Sequence, residues 1–209
     1  MRRMLWASWW IAPIVVGAYH YGAGQERVTL DRAATRLASA EAAVRSAQAA
    51  SSDPDAEHAA WTQAIAGFEE AIRLLPGDRA QEARRARLEA AKAKTHVSRL
   101  PEANSELELL VDELTNDATV DATLLADARS ALASSQYYMT WLLRLEGAPR
   151  NEWEPKIEGA RQNYRWLAEN AAAVKDAAAL TEQKQNLESA VRLARMDLQE
   201  LQGLPLPSQ

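Results

Sequence analysis

The side chains able to do chemistry are few and scattered. The 209-residue chain holds three histidines, His20, His58 and His96, and no cysteine. No two of these histidines stand at the spacing that puts a pair of imidazoles on one helical face. No His-Glu-x-x-His occurs, so the residues offer neither a zinc site nor a histidine triad. Without cysteine there is no disulfide, no thiolate metal site and no thiol nucleophile. There is no glycine-rich phosphate loop and no Gly-x-Ser-x-Gly turn. Carboxylate neighbours such as Asp112 and Glu113 are plentiful. General acid–base work needs two of them converging in a pocket, and no spacing singles out such a pair. The residues therefore predict a protein that is not an enzyme and takes no cofactor and no metal. A helical enzyme built on a carboxylate pair is the weakest alternative.

Charge patterning is more informative. Between Arg79 and Arg99 stand seven bases (Arg79, Arg84, Arg85, Arg87, Lys92, Lys94 and Arg99) against Glu82 and Glu89. Between Glu102 and Asp127 stand eight acids and no base. One reading pairs a basic helix with an acidic one through surface salt bridges, each worth little. The other turns Arg84, Arg85 and Lys92 toward a groove that grips an acidic peptide or a C-terminal carboxylate. The bases spread round the helix, so not all seven can face one groove. The aromatic residues also cluster: Tyr137, Tyr138 and Trp141, then Trp153, Tyr164 and Trp166. Tyr137 and Trp141, four apart, share a helical face. They serve either as the core of a hairpin or, with Tyr138, as an exposed anchor for a partner. From Gln25 onward there are 22 Lys and Arg against 29 Asp and Glu. That acidic balance speaks against nucleic acid, which requires a basic footprint.

The elements that position these residues are helices. Alanine occurs 43 times and leucine 25 times, against 8 Gly and 8 Pro. Helix formers at that density predict an all-α protein. Met4 to Ala23 carry no charge, which as a helix is about 30 Å, one bilayer core. Trp6, Trp9 and Trp10 at one end and Tyr19 and Tyr21 at the other make an aromatic belt. Residues 1–24 are thus expected to be an uncleaved signal-anchor, a single pass in the inner (cytoplasmic) membrane; a cleaved signal peptide is the rival. Arg2 and Arg3 favour the amino terminus inside and the remaining domain on the non-cytoplasmic side, although Arg27, Arg32 and Arg36 follow closely.

Residues 25–203 read as seven helices. Leu30, Leu37 and Val44, with Ala33, Ala40 and Ala47, form an a/d seam of three heptads, used within a hairpin or between copies of the chain. Breaks fall at Ser51–Pro54, Pro76–Asp78, Arg99–Pro101, Asn116–Asp117, Gly147–Pro149 and Asn170. Asn151 is expected to cap the sixth helix, and Pro155 to lie in its first turn. The seventh is expected to run to Gln202, with Leu187, Val191, Ala194, Leu198 and Leu201 as its apolar stripe. Residues 204–209 form a short tail that its two prolines keep from being helical.

The second helix carries Ala64, Phe68, Ala71 and Pro76, a small residue, an aromatic, a small residue and a helix-ending proline. Ala103, Leu107 and Leu110 repeat the pattern loosely, as do Ala160, Tyr164 and Leu167. The segment Ala64–Pro76 resembles the second half of a tetratricopeptide (TPR) repeat. The first-half motif of that family is missing, and the spacings of 39 and 57 residues depart from its period of 34. The resemblance implies stacked helical hairpins, a concave groove and a closing seventh helix. It further implies a membrane-anchored adaptor or scaffold that binds proteins. Small anchored TPR proteins accompany von Willebrand factor A-domain and MoxR-type ATPase systems, so such components are the expected partners. A self-associating coiled-coil component of the cell envelope is the alternative.

Overall fold

The computed structural model describes residues 23–203. Among them every regular element is helical. The order is α1 (Ala23–Ala49), α2 (Pro54–Leu74), a 3-10 turn (Gly77–Arg79), α3 (Ala80–Thr95), α4 (Leu100–Thr115), α5 (Ala122–Leu145), α6 (Arg150–Ala173), α7 (Ala177–Arg195) and the short α8 (Leu198–Gln202). Each helix from α1 to α6 packs on the next along the chain, while α3 and α8 both also touch α5. The all-α expectation holds. No helix among the described residues is long and apolar enough to cross a membrane. The expected span at 4–23 lies outside the described residues except for Ala23, and the tail at 204–209 lies outside them altogether.

Polar caps start four of these helices. The carboxylates of Asp53, Asp121 and Asp176 accept from the Ala56, Thr123 and Ala179 amides at 3.2, 3.0 and 3.0 Å. Pro54 occupies the first turn of α2, where a missing N–H costs nothing. Asp197 and Glu200 cap α8 reciprocally. Three helices end on a left-handed residue: Ser98 at φ 60°, Gly147 at φ 75° and Lys175 at φ 58°. In each case the next amide reaches back, Arg99 to Lys94, Ala148 to Leu143 and Asp176 to Ala171, and satisfies a terminal carbonyl.

Packing grades from small to large along the chain. In the first hairpin Ala40, Ala43 and Ala64 meet Phe68 and, from α3, Ala86 and Ala90. Ala33, Ala40 and Ala47 of the heptad seam are all buried. The seam is therefore spent inside the chain, on α2. The middle core is leucine-built, around Leu107, Leu110, Leu114 and Leu132. The last joins Trp141, Ile157, Tyr164 and Leu193 to Leu201 of α8. Ala64, Phe68 and Ala71, Ala103, Leu107 and Leu110, and Ala160, Tyr164 and Leu167 are all buried.

Four local expectations are corrected. Asn151 does not cap α6, because the N-cap is Pro149 and makes no side-chain bond. The helix starts early enough that Pro155 lies inside it, where it lacks the amide that would bond the Asn151 carbonyl. The third helix stops at Thr95, well short of Arg99, because the left-handed Ser98 turns the chain. The seventh helix breaks at Met196–Asp197, where the Asp197 capping box starts α8. The break turns Leu198 out to 44% exposure and buries Leu201. The inward face of α7 is Gln183, Ala190 and Leu193.

Candidate functional site

Two adjoining hollows lie along the odd-numbered helices. The larger, about 770 Å³, is walled by α3, α5 and α7. The smaller, about 400 Å³, is walled by α1, α3 and α5. Even-numbered helices contribute only Leu100 and Tyr164 to the first and Phe68 to the second. Asp127 of α5 lines both, so the hollows adjoin at that residue and together make a composite groove.

The groove wall on α5 follows from helical spacing. Asp127, Ser130, Ser134 and Tyr138 recur every three or four residues and so form one stripe. Leu124, Ala128 and Leu132 form the adjacent buried stripe, and Leu124 also borders the smaller hollow. Asn186 and Ser189 of α7 face it across the larger hollow. The Ser134 hydroxyl lies 3.4 Å from the Tyr164 hydroxyl. Burial raises the pKa of Tyr164, and the Ser134 bond opposes this. Burial also raises Tyr137, against the pull of Arg192. Both phenols are therefore neutral hydrogen-bond donors at pH 7.

The bases singled out by the sequence are placed differently from one another. Arg84 is bound by the Glu113 and Asp117 carboxylates at 2.7 and 2.6 Å, with its side chain 14% exposed. The bonds to Glu113 and then Asp117 raise its pKa. Asp117 is held at about 2 by the Thr119 hydroxyl and amide and then by Arg84. Arg85 borders the smaller hollow but pairs with Asp121 at 2.7 Å. Lys92 borders the larger and pairs with Glu89 of its own helix at 2.9 Å. Arg84, Arg85 and Arg87 thus spend their charge on acids that follow the helix, and Lys92 on its own helix. Tyr137 and Tyr138 line the larger hollow. Trp141 does not, being buried in the last core cluster.

Behind the groove, buried polar groups set the register of the hairpins. Lys94, 3% exposed, is held by Glu69, Glu102 and Glu106 from α2 and α4 at 3.1, 2.9 and 2.7 Å. Asn104 donates to Ser135 at 3.0 Å and accepts from Lys156 at 2.8 Å, joining α4, α5 and α6. Gly159 leaves room for the Gln136 amide, which a Cβ there would approach to 2.7 Å. Such buried networks penalise any register that leaves a member unpaired.

Sequence reasoning passed over Asp127, Ser130, Asn186 and Ser189. The signal in α5 is the polar stripe beside its apolar one. Nothing in the sequence announced that α7 would face it. Among the described residues no group of His, Asp and Glu gathers as a metal site. No protein family, no curated protein and no solved structure matches this chain.

Proposed function

We propose that the protein is a TPR-like adaptor whose groove along α1, α3, α5 and α7 holds an extended segment of a partner protein. The observation that carries this reading is the composite groove: one face of the alternate helices α1, α3, α5 and α7, with hydroxyls and phenols in the larger hollow and charged and apolar side chains in the smaller. The burial of nine of the ten motif positions, all but the half-buried Pro76, supports the hairpin-repeat assignment. The enclosure of the heptad seam within the first hairpin weighs against a stalk assembled through it. With residues 4–23 as a membrane anchor, the groove would work by confinement, raising the local concentration of a partner at the same surface. Components of von Willebrand factor A-domain or MoxR-type ATPase systems remain the partners that the resemblance suggests.

Photo-crosslinking of the full chain in its native cells tests this. A photoreactive residue at Ser134 sits in the groove; one at Leu109, 67% exposed on α4, sits outside it. The expected result is a discrete protein adduct from position 134 and none from 109. Adducts from 109 alone, or from neither, overturn the groove reading.

A further inference from the structure

The charge left in the groove after internal pairing points to the kind of segment it takes. Arg85 is neutralised by Asp121 and Lys92 by Glu89. Glu41 and Arg45 of α1 border the smaller hollow together, one of each sign. Asp127 remains. It borders both hollows and has no hydrogen-bond or ion-pair partner among the described residues. It is a solvent-exposed carboxylate, placed between the two hollows and without an ion pair of its own. Beside it, Ser130 and Tyr138 also have no hydrogen-bond partner among the described residues.

We propose that Asp127 is the anchor point of the groove and receives a lysine or arginine side chain of an extended partner segment. The inference rests on the groove reading above and deepens it by naming the partner's chemistry. It reverses the expectation of an acidic ligand, because Arg84 is bound within the fold and Arg85 and Lys92 already carry acid partners at its surface. An ammonium or guanidinium at Asp127 makes a charge-assisted hydrogen bond to a carboxylate that has no competing partner. The phenol faces of Tyr137 and Tyr138 line the same hollow and favour a cation over an anion. Ser130 and Asn186 are placed for the backbone and small polar groups of the flanking residues.

The test uses the full-length protein in detergent and four synthetic nine-residue probes. Each alternates serine and alanine and carries lysine, arginine, norleucine or glutamate at its centre. Affinities are read by calorimetry or, for weak binding, by nuclear magnetic resonance shifts. The lysine and arginine probes are expected to bind about tenfold or more tightly than norleucine, and the glutamate probe most weakly. In Asp127→Asn the preference should vanish while the melting temperature stays unchanged, since Asp127 holds nothing in the fold. Absence of a cationic preference, a preference for glutamate, or a preference that survives Asp127→Asn each overturns the inference. The crosslinks at position 134 stand independently of these outcomes, so failure of the charge assignment is separable from failure of the groove.

Discussion

Ala40 of α1 lies against Gly67 of α2 so closely that a Cβ on residue 67 would stand 2.9 Å from the Ala40 Cβ. The first hairpin is thus an alanine–glycine contact in which backbone meets methyl group. Gly67→Ala improves helix propensity by about 1 kcal/mol. It also forces two rigid helices apart, an overpacking that costs about 1–3 kcal/mol. The expected outcome is net destabilisation, read from urea unfolding. Gly77→Ala, with nothing within 4 Å of the added carbon, is the neutral control. Ala64→Leu or Ala71→Leu, both at fully buried positions, should cost a similar about 1–3 kcal/mol. An unchanged midpoint for these variants would refute the packing described.

The Lys94 clasp makes a pH prediction. Burial opposes its charge, but the bonds to Glu106, Glu102 and Glu69 together outweigh that and raise its pKa. Arg99 and then Lys94 hold the Glu102 carboxyl at about 2. The folded-state pKa is below the unfolded one, so the stabilisation is fully present above pH 4.5 and is lost as pH falls through about 2. Lys94→Met should lower stability at pH 7 by about 1–2 kcal/mol, the partners being exposed enough for solvent to screen them. Its deficit should shrink in unfolding titrations near pH 2.5. A deficit of equal size at both pH values would show that the clasp contributes packing alone.

His96 lies flat on Trp61, ring centroids 4.1 Å apart and planes 5° from parallel. Burial lowers its pKa from 6.5, and Glu57 opposes this only in part. The unfolded chain therefore takes up this proton more readily than the folded one. Stability from the neutral ring is full above pH 6.5 and declines as pH falls below it toward the folded-state value. His96→Phe keeps an aromatic stack without the titration. Comparing urea midpoints at pH 7.5 and 5.5, the substitution should flatten the acid-side loss; an equal loss in both proteins would assign it to other groups.

Arg144 of α5 closes the far end of the molecule. Its guanidinium donates to the Leu193 carbonyl and, at 2.5 Å, to the Met196 carbonyl, and lies 4.8 Å above the Trp153 ring. It satisfies carbonyls that the end of α7 leaves free. Arg144→Lys keeps the charge but not the planar fork. Hydrogen exchange should quicken in α7 and α8 for Arg144→Lys and more for Arg144→Ala, with little change in α1 and α2. Uniform quickening across the chain would place Arg144 in the global core instead.

The sequence by itself determined the helical class, most helix boundaries and the residues that face inward. Those follow from local rules: alanine and leucine at helical spacing, aspartate at a helix start, proline and glycine at an end. Ala64, Phe68 and Ala71 were legible as a packing motif because a period of three and four residues survives in one dimension. Tertiary structure decided what those rules do not reach. Ser98 and Lys175 end helices in a left-handed conformation without being glycine, so nothing in their type marked the turns. The Asp197 capping box cut an apolar stripe that looked continuous to Leu201. Arg84, Arg85 and Lys92 looked alike along the chain, yet whether each base meets an acid or the groove depends on which helix faces it across the packing. Asp127 gained its place the same way: one acid among eight in the sequence, it came to border both hollows without an ion pair when helices brought together by burial of their apolar faces matched six of the others with bases.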